Sequence, residues 1–146
     1  MSRTIDAARR VISGTFGEVW LDGEKISECK GCQGKVSKNK EKVYLCGMLF
    51  ADHKVMALEG TGSLTLYKAD SGMIQKQTDI QDGIDRRFTI VSALKDPDSY
   101  GAERIAFYNV SFDDLTLADW QRAAIGEITA PFTFTRFELL DQIDVN

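Results

Sequence analysis

Gly60-Thr61-Gly62-Ser63-Leu64-Thr65-Leu66-Tyr67-Lys68 is the stretch on which the fold turns. From Gly62 to Lys68 apolar and polar residues alternate with the period of a strand. Leu64 and Leu66 share one face, and Ser63, Thr65 and Tyr67 share the other. Gly60-Thr61-Gly62 reads as a turn entering that strand. A dinucleotide fingerprint would need a third glycine and a helix after it.

Strand patterns recur on both sides. Residues 18–21 read as a strand, and Asp22-Gly23 is a strong two-residue hairpin signal. A return strand is expected over 25–36, weakened by Gly31 and Gly34. Residues 88–95 and 102–112 are apolar on both faces, which marks buried strands. Residues 125–137 form the last long strand, with Phe132 and Phe134 on one face and Thr133 and Thr135 on the other. Residues 113–121 suit either a strand or a short helix. Asp70-Ser71-Gly72 offers an N-cap, and Met73, Ile74, Gln77 and Ile80 follow at near-helical spacing. One amphipathic helix is therefore expected over 71–82, stopped by Gly83. Six to eight strands and one helix give a mainly β fold, a sandwich or barrel with the helix on one side.

The chain has 146 residues, 43% of them apolar, which fits one domain (1–146) with its own core. Residues 1–16 read as an N-terminal arm. Residues 37–57 read as a long hairpin excursion whose tip, Met48-Leu49-Phe50, has no core of its own. An exposed apolar loop marks a contact surface. The 22 acidic and 18 basic residues leave a net charge of −4, which argues against a protein that grips nucleic acid. Arg9-Arg10 and the lysines over 35–42 are then solvated charge. Residues 1–10 lack the apolar run of a signal peptide, no stretch has the length of a membrane span, and folding in a cytoplasm is expected. Three cysteines argue against a disulfide framework.

Chemistry-bearing constellations are few. Cys29, Cys32, Cys46 and the sole histidine, His53, would offer three thiolates and an imidazole to zinc, the basis of an alternative reading as a small zinc-binding interaction module. The second half lacks the tight pairing of such sites, so small apolar core residues are the preferred reading of the cysteines. A redox CxxC needs a helix N-terminus, and this pair falls in a strand. No G-x-S-x-G, P-loop, HExxH or EF-hand string is present. Asp113, Asp114 and Asp119 read as a solvated edge in preference to a cation site. No nucleophile–base pair stands out, so no catalytic or cofactor-binding residue is expected.

Four motifs in order carry a family resemblance. They are Ile12-Ser13-Gly14 with Leu21-Asp22-Gly23-Glu24, the 60–68 string, Gly101-Ala102-Glu103-Arg104-Ile105-Ala106-Phe107-Tyr108-Asn109-Val110-Ser111-Phe112-Asp113, and Pro131-Phe132-Thr133-Phe134. Over residues 11–143 the chain resembles the inner tail-tube protein of contractile phages and phage-derived R-type bacteriocins, the PBSX-like tail tube family. The resemblance implies a structural subunit and not an enzyme, with no cofactor. It implies hexameric rings stacked into a tube, with a channel for DNA passage or membrane puncture. The implied partners are further copies of the chain, the tail sheath protein, a baseplate or tube initiator and the tape measure protein, with DNA only in transit. The location is the virion tail, assembled in the bacterial host cytoplasm. The excursion over 37–57 matches the family's extended hairpin, which contacts the next ring; Lys38, Asn39, Lys40, Met48, Leu49, Phe50, His53 and Lys54 are the ring-stacking residues this implies. Ser63, Thr65, Thr133 and Thr135 are the implied lumen-facing residues, small and polar where DNA must slide.

Overall fold

The structure, a computed structural model, describes residues 6–144. Eight strands run in chain order: β1 (Gly17–Leu21), β2 (Glu24–Lys25), β3 (Cys29–Val43), β4 (Asp52–Tyr67), β5 (Phe88–Leu94), β6 (Glu103–Phe112), β7 (Glu127–Phe134) and β8 (Arg136–Asp141). All pair antiparallel, in the order β2-β1-β5-β6-β7-β4-β3, with β8 beside β6. The mainly β fold expected from the alternating pattern is the fold observed.

The Asp22-Gly23 turn has positive φ at both residues (51° and 83°), the requirement of a type I′ hairpin. Asp22 also accepts from the Thr89 amide through Oδ1 at 2.8 Å, which fixes the turn to β5. The return strand is shorter and then longer than the pattern predicts. β2 has only two residues, the chain breaks at 26–28, and β3 restarts at Cys29 and continues to Val43. A register shift between Cys29 and Gly31 absorbs the first glycine.

Gly60-Thr61-Gly62 is not a turn. It lies inside the 16-residue β4. The glycines are there because phenylalanine rings rest on the backbone. A Cβ on Gly60 would sit 2.6 Å from the Phe134 ring, and one on Gly62 would sit 2.6 Å from the Phe132 ring and against the Gln33 carbonyl.

The last long strand is also not continuous. It bends at Thr135, dividing β7 from β8. β6 pairs with both pieces in one register, Phe112↔Phe132 and Ser111↔Thr133 on one side of the bend and Tyr108↔Arg136 to Ile105↔Leu139 on the other. Opposite the bend Asn109 takes φ 57°, and its Nδ2 donates to Thr135 Oγ1 at 3.1 Å. A bulge facing a bend lets β6 serve two halves of the sheet, β1, β2, β5 and β8 on one side and β3, β4 and β7 on the other.

The two halves enclose one core. Phe132, Leu64, Leu66, Ile90, Val110 and Leu21 are its most buried side chains. Phe88, Phe107, Phe112, Phe132 and Phe134 interlock through it, with ring centroids 4.8–6.3 Å apart. Leu64 and Leu66 point inward as the alternation requires.

The helix is shorter than its sequence pattern. α1 (Gly72–Lys76) is followed by a 3-10 segment, Thr78–Asp82, which ends at Gly83 with φ 79°. Thr78 Oγ1 donates to the carbonyls of Ile74 and Gln75, which competes with a further α turn. Asp70 Oδ1 accepts from the Gly72 amide at 2.9 Å, and Met73 packs on the core. Residues 113–121 form neither helix nor strand.

Residues 6–16 are strapped down instead of standing free as an arm. The buried Asp96 accepts from the amides of Ser13 and Asp98, both at 2.9 Å. Arg10 donates to the Asp98 carbonyl and lies over the Tyr100 ring, whose hydroxyl donates to Asp6. Residues 1–5 lie outside the described residues.

Candidate functional site: the hairpin arm and the small-residue face

β3 and β4 leave the body together and carry on as a two-stranded arm. Every residue from 35 to 59 is exposed except the partly buried Ala51. From Lys35 to Val43 the arm extends roughly 27 Å. Its tip, residues 44–51, turns through Gly47 at φ 83°. Leu49 is 106% exposed and Phe50 86%, beside exposed Tyr44, Leu45 and Met48.

The arm has two chemically distinct faces. Core-facing positions of the body are Cys32 and Gly34 on β3, and Gly60, Gly62, Leu64 and Leu66 on β4. On the arm the same face continues as Lys38, Lys40 and Lys42, paired with Leu58, Val55 and His53. A register shift at Asn39/Lys40 leaves Met56 unpaired and keeps the face aligned. The other face carries Ser37, Asn39, Glu41 and Lys54, with Glu41 opposite Lys54. Among the described residues no salt bridge engages Lys38, Lys40, Lys42 or Lys54.

Thus Lys38, Lys40 and His53 lie together on the lysine face, Asn39 and Lys54 on its reverse, and Met48, Leu49 and Phe50 at the tip. The sequence pattern missed the extent of the surface. Tyr44, Leu45, Val55, Met56 and Leu58 are also exposed. The signal was present in the lysines at every second position, 38, 40 and 42.

The second candidate surface is the outer face of β4 and β7. Ser63 pairs with Pro131, Thr65 with Thr129, and Thr61 with Thr133. These six residues point away from the core and make a strip of small side chains. Ser63, Thr65 and Thr133 are brought together as expected, and Thr61, Thr129 and Pro131 complete the strip. Thr135 lies apart at the bend, held by Asn109. Charge bounds one end of the strip, where Lys30 Nζ meets Glu127 Oε1 at 2.6 Å and lies over the Tyr67 ring.

The zinc constellation is not assembled. Cys29 and Cys32 pack against the core, while Cys46 and His53 sit on the exposed arm, and 11 strand steps from Cys32 to Val43 separate the pairs by roughly 35 Å. Burial, reinforced by the neighbouring Cys29, pushes the Cys32 thiol up to about 11, so it stays protonated at neutral pH. Burial also raises the Cys29 thiol. Among the described residues no cluster of three metal-ligating side chains occurs. Asp113, Asp114 and Asp119 are exposed and form no such cluster either.

The candidate surfaces are thus an exposed apolar-tipped arm and a strip of small side chains on an antiparallel sheet. The pattern of the phage tail tube protein family matches residues 5–141. The chain belongs to that family. The phage-like element PBSX protein XkdM of Bacillus subtilis (strain 168) is 35% identical over 140 residues, covering 93% of this chain and 95% of the relative. Among solved structures, the anti-feeding prophage tube-terminating cap superposes with a TM-score of 0.74 at 13% identity, over 97% of this chain and 99% of that one. The sheath–tube complex of the extracellular contractile injection system PVC, in its extended state, gives 0.67 at 13%, over 90% and 93%. These likenesses establish the tail tube fold. Members of the family are structural subunits, and among the described residues no helix is long and apolar enough to cross a membrane.

Proposed function

We propose that this chain is the inner-tube subunit of a contractile phage tail or a phage-derived bacteriocin, that it assembles as stacked hexameric rings, and that it is not an enzyme. The observation that carries the reading is the arm: about 25 consecutive residues expose their apolar tip to solvent in the single copy. Such a surface is stable in a cell when a second copy covers it. In this reading Lys38, Asn39, Lys40, Met48, Leu49, Phe50, His53 and Lys54 contact the next ring.

The strip of Ser63, Thr65 and Thr133 faces the channel. Its short neutral side chains give phosphate nothing to hold, whereas a lysine-lined wall would retard DNA. Sheet edges are consumed by neighbours, since a closed ring leaves no strand unpaired. The sheath protein, baseplate and tape measure protein are the remaining partners, and DNA passes only in transit. The whole forms within the host cytoplasm and ends in the virion tail.

The test is negative-stain electron microscopy of the purified full chain over a concentration series, with Phe50→Asp beside it. Wild type is expected to give rings or hollow tubes with a central channel. Phe50→Asp is expected to keep its circular dichroism and its unfolding midpoint, within about 0.5 kcal/mol, and to form no tubes. Solid oligomers without a channel, or tubes of normal length from Phe50→Asp, would overturn the reading.

A further inference from the structure

The arm offers unpaired cations beside apolar residues. The body carries the complementary surface at its opposite pole. Residues 113–126 link β6 to β7 and are hooked to the far end of β4 by the bond from the Lys68 amide to the Gly126 carbonyl, 2.7 Å. This loop exposes Leu117, Ile125 and Trp120, the last 81% exposed. Asp119 lines the same groove as Leu117 and Trp120, and Asp113 and Asp114 open the loop where it leaves β6; all three are exposed and, among the described residues, form no salt bridge. Arg122 is the one cation of the loop, so its net charge is negative. A groove of about 240 Å³ opens between Leu117, Asp119, Trp120, Lys68 and Ile128.

We propose that the lysine face of one copy's arm docks on the 113–126 loop of a second copy, a pairing that rests on the tube reading and names its receptor. Lys38, Lys40 and Lys42 meet Asp113, Asp114 and Asp119, and the apolar residues of the arm cover Leu117 and Trp120. Three features support this occupant. The charges are opposite, and among the described residues neither set forms a salt bridge. The lysines recur at every second strand residue, so they span roughly 14 Å, the reach of a short acidic loop. The two surfaces also lie at opposite ends of β4, with roughly 33 Å of strand from Leu58 to Lys68. Donor and receptor are different patches at opposite ends, the arrangement a heterologous contact requires. They make a head-to-tail contact that leaves a free arm at one end and a free loop at the other, so growth continues.

A charge-exchange experiment on the full chain tests the pairing. One variant carries Lys38→Glu, Lys40→Glu and Lys42→Glu; the other carries Asp113→Lys, Asp114→Lys and Asp119→Lys. All six side chains are exposed, and thermal melts confirm that both variants fold. Each alone places like charges together, and its pelletable tube mass is expected to fall at least about tenfold. Mixed one to one, each variant's arm meets an opposite charge on the other's loop, so tubes of alternating subunits are expected to return. Tubes from either variant alone at wild-type yield, or no recovery in the mixture, would overturn the pairing while wild-type tubes leave the tube reading standing. A wild type that forms neither rings nor tubes up to millimolar concentration overturns both.

Discussion

β3 and β4 are one ribbon with two lives. In the body their inward face is Cys32, Gly34, Leu64 and Leu66, and it is covered by phenylalanine rings. Beyond Val36 and Gly60 the same face carries Lys38, Lys40 and Lys42, and none of the described residues buries it. Backbone pairing continues across this change, with one register shift at Asn39/Lys40. Ladder hydrogen bonds alone therefore do not distinguish the halves. Burial does, and burial is where stability comes from. The body holds the fold together, and the arm, exposed in the single copy, adds little apolar burial to it.

The largest test of that division is in the body. Phe132 is 0% exposed and touches the rings of Phe107, Phe112 and Phe134. Phe132→Ala is expected to cost about 3–5 kcal/mol by urea unfolding, enough to leave much of the chain unfolded. A loss under 1 kcal/mol would mean that the core is not where the two halves meet.

A smaller effect is expected at the N-terminal strap. Asp96→Ala leaves the amides of Ser13 and Asp98 without their carboxylate acceptor. The expected cost is about 1–3 kcal/mol. Faster proteolysis within residues 6–16 should accompany it, and unchanged cleavage would show that other contacts suffice to hold the segment.

The smallest effect sharpens the comparison by chemistry. Cys46 is exposed on the arm, whereas Cys29 and Cys32 pack on the core. At pH 8 a thiol held near 11 is about one-thousandth thiolate, and thiolate is the reacting species. A maleimide is expected to modify one thiol per chain quickly and the other two slowly, with Cys32 accelerating as pH climbs towards 11. Tube formation should slow the fast site. Three equal rates in the unassembled chain would erase the distinction between body and arm.

The alternation of Gly62 to Lys68 declared its strand and its buried face, because leucine and threonine at period two admit one reading. Asp22-Gly23 declared its turn through the positive φ it demands. Gly60-Thr61-Gly62 misled because its glycines answer to Phe132 and Phe134, some 70 residues away in sequence, and no local pattern carries that contact. The bend at Thr135 was hidden for a similar reason: it exists to let one strand serve both halves beside β6. Helix 71–82 was overread because the competing hydroxyl of Thr78 is a matter of geometry. At the candidate site, the apolar tip and the lysines over 38–42 were legible. In the sequence Asp113, Asp114 and Asp119 read as a solvated edge, and residues 113–121 as a strand or short helix. Exposed Trp120 beside Asp119 becomes visible once the loop is seen to stand outside the sheet.

The route from the tip into the body has a mechanical consequence. β4 is a single unbroken strand from the arm to Tyr67, and β7 grips it through eight residue pairs, Gly60↔Phe134 to Tyr67↔Glu127. A pull on the arm is delivered along β4, at right angles to those ladder bonds. The rungs are loaded in shear and must yield together, not one after another as in unzipping. Tension applied at the tip is therefore borne by the body's best-packed strand pair.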